Sequence, residues 1–411
     1  MIENPLLTTG LLLFFGHWGG RLANRLSLPR ITGYLLVGLI FSPSIFHILQ
    51  AETIQHRLHF INDIALSIIA YNVGGSLDVR VLKGLGRTIG WITWFQAMGA
   101  LVVTFLVLVA VLGFLPAFSQ GPLAKPNMIV AISLIIGAIS AATAPGAVLA
   151  VISEVRAKGE FTNILLGVIA LDDALTIVFF SVAGALAQAI LGMDFKGQNL
   201  LFLPFYEIGV SILIGSAAGL VLALTGTFIE RAEAMLMVVL GTLLSTSALA
   251  TMFHGSSILA AMTVGFWVIN HKPAHQNFFK SVEPLEDAVF GLFFTLAGAH
   301  MDISVLKSAW VLALILLVVR MIGKQLGVLV GARISGASEA VRKYLGLALF
   351  PQAGVTIGLV LLAQDLLPEA AGNVVVNAMI GSVIINELMA PLLLHYCLKK
   401  VGEVALKPEA S

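Results

Sequence analysis

The sequence predicts an all-α integral membrane protein with about 13 transmembrane helices, arranged as two inverted six-helix repeats around a linker helix. Three observations carry that prediction. Of 411 residues, 58% are hydrophobic and only 11% are charged, against about 25% charged in a soluble domain. Apolar stretches recur at close to the ~20 residues that a membrane-spanning helix needs. A short motif at the end of one stretch also returns, on the opposite side of the membrane, at the end of another.

The expected spans are 5–20, 31–46, 60–77, 88–115, 127–153, 160–190, 204–228, 234–252, 256–270, 285–299, 308–333, 340–363 and 373–397. Basic residues orient them. With the N-terminus outside, the inside loops collect 17 of the 23 lysines and arginines. The outside loops hold only Arg57, Lys125, Lys196 and Lys307. That asymmetry follows the positive-inside rule, so the C-terminus is expected in the cytoplasm, in a multi-pass protein of the cell (inner) membrane.

Other classes fall away on composition. A formal net charge of +1 argues against a nucleic-acid partner. One cysteine, Cys397, allows neither a disulfide framework nor a thiolate metal cluster. The opening "MIENPLL" has no basic n-region, so no removable signal peptide is expected.

The repeat is read from "GGSLDVRVLK" (74–83) and "GAHMDISVLK" (298–307). One copy faces inside and the other outside, so spans 1–6 correspond to spans 8–13 in inverted order. Repeat one covers about 1–190, the linker about 204–228 and repeat two about 234–397, all within a single transporter domain. The fifth and twelfth spans are then equivalents, and both are interrupted. One reads "ATAPGAV", with Pro145 and Gly146, and the other "FPQAGV", with Pro351 and Gly354. Two unrelated proline kinks would not explain the matched position. Broken helices at corresponding places in inverted halves point to a transporter's binding site, because unwound backbone is tolerated only where it lines a cavity.

Ionisable groups inside the membrane converge on the same depth. "VIALDDALTIVFF" carries Asp172 and Asp173, with Asp172 about 12 residues from the inside anchors Lys158 and Glu160, or roughly 18 Å deep. Arg320 and Lys324, in "VVRMIGKQLG", share a helix face by their i, i+4 spacing. "INELMAP" places Asn386 and Glu387 at a similar depth, where a structural polar role is expected, with Arg320 as the expected partner of Glu387. Asp63, Glu207, Asp365, His254 and His300 sit near span ends and are weaker candidates. Charged groups this deep are costly and mark ion pathways.

Together "ATAPGAVLAVI", "GVIALDDAL", "FFTLAGAHMDI", "RMIGKQLG" and "LALFPQAGVTIG" give the chain a resemblance to the monovalent cation:proton antiporter superfamily. The likeness is to its electrogenic two-aspartate branch and covers essentially all 13 spans. The resemblance implies a homodimer in the bilayer, with a dimer domain and a mobile core holding two crossed, broken helices. It implies that Asp173 binds cation or proton in turn and that Asp172 pairs with Lys324. By the same likeness Thr143 and the backbone at Ala144 contribute to the cation site, and Arg320 is structural. Glutathione-gated potassium relatives usually carry glutamine where this chain has Asp172, and a large nucleotide-binding domain. No such regulatory domain is expected here.

The residues supply a mechanism alongside. In a partly dehydrated cavity, burial, an acidic neighbour and a nearby ammonium pull a carboxylate's protonation in opposing directions. Protonation can then compete with binding of a hard monovalent cation, which couples the two flows. No resident cofactor is needed, and transported Na+ (or Li+) and H+ are the expected ligands. K+/H+ exchange and a passive cation channel are the alternatives. Adjacent aspartates point about 100° apart on a helix, which disfavours an aspartyl protease.

Overall fold

Each of the 13 expected spans is occupied by one helix or by a broken pair. The computed structural model describes residues 4–26, 28–42, 45, 58–115, 118, 121–192, 198–229, 231–271, 276–301, 304–352 and 354–404. Among these are 16 α-helices and no strand. Asp302, Arg57, Lys196, Lys272 and Lys407 lie outside the described residues.

The first repeat comprises α1 (Pro5–Arg25), α2 (Arg30–Phe41), α3 (His59–Ser76), the one-turn α4 (Val79–Leu82), α5 (Gly86–Val111), α6 (Pro126–Ile139), α7 (Pro145–Val155) and α8 (Glu160–Ile190). The linker α9 (Gln198–Thr225) follows. The second repeat runs through α10 (Ala232–Met252), α11 (Ser257–His271), α12 (Gln276–His300), α13 (Ser304–Ser335), α14 (Glu339–Ala348), α15 (Gly354–Leu366) and α16 (Glu369–Val401).

Local chemistry sets the boundaries. Asn4 caps α1 by accepting the Leu6 and Leu7 N–H groups, and Pro5 fills the first turn, where its missing donor costs nothing. In the motif shared by the repeats, Asp78 caps α4 through the Arg80 N–H at 2.9 Å. The side-chain hydrogen bond from Arg80 holds the Asp78 carboxyl below its ordinary range. Pro145 lacks a donor and crowds the preceding turn, so the fifth span breaks after α6 and restarts at α7. Pro351 separates α14 from α15 in the same way. Among the described residues, six helices, α5, α8 and α16 among them, are long and apolar enough to cross a membrane unaided. The half-helices are shorter because each broken span is shared between two.

The packing obeys the repeat. Helix α2 lies on α12 and its counterpart pair is α11 on α3; α1 on α2 is matched by α10 on α11; α6 on α8 is matched by α14 on α16. The pair α5 and α13 is its own counterpart and the most extensive contact in the fold. Glycines make it close. A Cβ on Gly327 would stand 2.0 Å from the Phe95 carbonyl oxygen, and one on Gly323 would stand 2.6 Å from that of Gly99. Gly323, Gly327 and Gly331 recur every fourth residue, the spacing by which membrane helices approach through small residues.

The chain ends its last helix with a reversal. Gly402 adopts φ 80°, which suits a residue without Cβ, and turns Glu403 back onto the start of α8. There the carboxylate accepts the Phe161 and Thr162 N–H groups, each at 2.8 Å, and the Thr162 hydroxyl at 2.7 Å.

Candidate ion-binding site

The two breaks meet in the middle of the molecule. The Ala144 N–H donates to the Pro351 carbonyl at 2.8 Å, and the Thr143 hydroxyl lies 3.5 Å from the Leu349 carbonyl. Unwinding leaves carbonyls at the ends of α6 and α14 without helical partners, and Arg320 of α13 collects them. Its Nε donates to Ser140 at 2.9 Å, Nη1 to Phe350 at 2.6 Å, and Nη2 to Ala142. Asn386 of α16 donates to the same Phe350 carbonyl at 2.8 Å. One buried cation therefore fastens both half-helix C-termini, where the helix dipoles favour positive charge.

This corrects one expectation. Glu387 is not the partner of Arg320, because the guanidinium is spent on backbone carbonyls. Glu387 instead borders a small pocket with Ala144, Pro351 and Gln352.

One turn along α13, Lys324 is fully buried. Its ammonium lies 3.3 Å from Asp172 Oδ2 and donates to the Thr143 hydroxyl. Gln96 of α5 donates to the other Asp172 oxygen, Oδ1. Asp172 is thus neutralised and hydrogen-bonded on both oxygens, as a buried carboxylate must be. In this arrangement Thr143 serves Lys324.

Asp173 faces elsewhere. It lines a cavity of about 470 Å³ formed by α8 and α15 on one side and α9 and α11 on the other. Its Oδ1 is buried without a hydrogen-bond partner. An unpaired carboxylate oxygen beside a cavity is a fitting ligand for a hard cation or a proton.

The cavity has a closed counterpart. The pocket at Glu387 lies between α7 and α16 on one side and α2 and α12 on the other; α7, α16 and α2 are the elements the repeat relates to α15, α8 and α11 around Asp173, and its volume is only about 10 Å³. Beyond it lies a polar cavity of about 260 Å³, bordered by Arg30, Glu154, Arg156 and Glu283.

Sequence reasoning missed Gln96, whose signal is a lone amide in the apolar run "ITWFQAMGA". It also left Glu207 at a span end, whereas Glu207 shares the cavity with Asp173. His254 is exposed at the end of α10 with φ 56°.

Comparisons with known proteins agree with the geometry. The high-affinity Na+/H+ antiporter NhaS3 of Synechocystis is 25% identical across 99% of this chain and 93% of its own length. A Na+/H+ antiporter of Enterococcus hirae is 24% identical over 93% of this chain and 95% of that protein. The Na+/H+-K+ antiporter GerN of Bacillus cereus is 21% identical, covering 94% of each. In structure, the sodium proton antiporter MjNhaP1 of Methanocaldococcus jannaschii superposes with a TM-score of 0.72 at 20% identity, over 96% of this chain and 98% of that one. The family model described as "Sodium/hydrogen exchanger, transmembrane" matches residues 10–400. A membrane fold broken at two prolines around buried charges, and a match over nearly the whole length, make this chain a member of the sodium/hydrogen exchanger family.

Proposed function

We propose that this chain is a secondary antiporter exchanging protons for a monovalent cation, Na+ (or Li+) first, with Asp173 holding H+ or cation in turn. One observation carries the reading. Of the two adjacent aspartates, Asp172 is bound by Lys324 and Gln96, whereas Asp173 keeps an unpartnered oxygen beside the cavity.

The chemistry follows from charge. Empty and ionised, Asp173 would carry an uncompensated charge into the low-dielectric barrier, at a cost of several kcal/mol. Loaded with a proton or a cation it is neutral, so the loaded carrier crosses and the empty one does not. That constraint is obligatory exchange. The open cavity and its pinched counterpart support a barrier that changes sides, with α5–α8 and α13–α16 moving against α1–α3 and α9–α12. A passive channel would need both openings at once.

Exchange is electrogenic when a second proton travels. A cation drawing on Asp172 would release Lys324, which in dehydrated surroundings can yield its proton. Thr143 and the backbone at Ala144 would then be free to complete the cation's oxygen shell. Arg320, Asn386 and Glu387 hold the breaks in shape. The chain works as a homodimer in the inner membrane, N-terminus outside and C-terminus in the cytoplasm. The two repeats and linker form one transporter domain, and the exchange needs no resident cofactor. K+/H+ exchange is the second reading, favoured by the likeness to a relative named for both ions.

Transport currents from purified protein in liposomes test this, with Na+ and then K+ jumps at several pH values. A Na+-evoked current lost in Asp173→Asn is expected. A response to K+ alone would select the second reading. Proton movement without current would remove the role given to Lys324.

A further inference from the structure

The cavity lined by Asp173 contains a second carboxylate, Glu207 of α9. Among the described residues, no lysine or arginine borders it, and the other polar lining groups are the hydroxyls of Ser181 and Ser256. Apolar walls around carboxylates of one sign focus their field and raise the local concentration of counter-ions.

The oxygens are presented in a form a cation can use. The Ser181 hydroxyl gives its proton to the Ile177 carbonyl at 2.9 Å, which leaves its lone pairs for the cavity. Ser181 stands eight residues beyond Asp173 on α8, about 12 Å along the helix. That distance is too long for one ion to touch both, so the cavity has room for two stations. The wall opposite is fixed. The Ser211 hydroxyl donates to the Glu207 carbonyl at 2.5 Å and accepts the Ser256 N–H at 2.7 Å. This ties the Glu207 turn of α9 to the start of α11.

We propose that Glu207, with the hydroxyl oxygens of Ser181 and Ser256, forms a staging site for a small monovalent cation, separate from the Asp173 site and feeding it. The inference rests on the antiport reading and adds a specificity-determining residue to it. Glu207 gathers the ion electrostatically and sheds part of its hydration onto hydroxyl oxygens. Asp173 then completes the exchange.

The test is Na+-dependent proton exchange in liposomes, comparing the native chain with Glu207→Gln, Glu207→Asp and Glu207→Cys. A rise of about tenfold in the Na+ concentration for half-maximal rate is expected for Glu207→Gln, with Glu207→Asp restoring most of it. The rise should shrink in high concentrations of an inert salt, since screening weakens the attraction. In Glu207→Cys, an anionic methanethiosulfonate should restore the low value and a cationic one should raise it further. Cys397, the single native cysteine, is fully buried, so it gives little background. Half-maximal concentrations that stay within about twofold across all charges at position 207 would overturn the staging site while leaving antiport intact. Absence of exchange in the native chain would overturn both.

Discussion

The Lys324 ammonium lies 3.3 Å from Asp172 on the helix face next to Asp173, and the two adjacent aspartates differ because of it. Burying one carboxylate with a cation and an amide satisfies it. Leaving its neighbour unsatisfied beside a cavity makes that neighbour available. A single helix thus supplies a fixed and a free carboxylate without any strain in its backbone.

The division predicts opposite phenotypes for two similar substitutions. Asp173→Asn should fold with native stability, since its buried Oδ1 has no hydrogen-bond partner to lose, and should lose cation-coupled proton exchange. Asp172→Asn leaves a buried ammonium without its counter-charge and should cost about 3–5 kcal/mol of stability. Melting temperatures in detergent, read beside liposome transport, separate the two.

The pair itself is expected to be dispensable for folding. Replacing both partners, Asp172→Asn with Lys324→Met, should recover most of the stability lost in Asp172→Asn, by roughly 1–4 kcal/mol. The recovered protein should carry no current. A double variant as unstable as the single one would show that the ion pair is not the cause.

Arg320→Lys is expected to be a poor substitute despite keeping the charge. A single ammonium cannot reach Ser140, Ala142 and Phe350 as the guanidinium fork does. At least one buried carbonyl is left unpaired, at about 1–3 kcal/mol. Thermal unfolding measures the loss, and Arg320→Gln should be worse still.

Gly327→Leu should separate α5 from α13. The first atom of its side chain would already collide with the Phe95 carbonyl, and overpacking of this kind costs about 1–3 kcal/mol or more. Because Gln96 follows Phe95, transport should fall along with the melting temperature. Gly336→Leu, in an open turn of the same region, serves as the control for hydrophobic bulk; its positive φ makes a small loss expected there too.

Much of this was legible beforehand, for identifiable reasons. Charges deep in apolar runs stand out, so Asp172, Asp173, Arg320 and Lys324 announced themselves, and the Asp172–Lys324 pairing followed from the resemblance. Proline fixes a helix end whatever surrounds it, so the breaks at Pro145 and Pro351 were readable as well. Neutral partners gave less signal. Gln96 reads as one polar residue in a long span, and only packing shows that it holds Asp172. Arg320 was assigned to Glu387 because carboxylates are visible in a sequence and unwound carbonyls are not. The glycine ridge of α13 has a readable period, but it shares its span with Arg320 and Lys324, whose charge is the stronger signal. Glu403 had none, since its partners are 241 and 242 residues away.

That last contact bears on how the molecule is made. The N–H groups at the start of α8 have their acceptor in a residue synthesised 241 positions later. At about 5–20 residues per second, the interval between them is roughly 10–50 s. The N–H groups at the start of α8 gain this acceptor only once α16 is made and the chain has turned back at Gly402, so the contact is among the last the molecule can form and closes it as a clasp does.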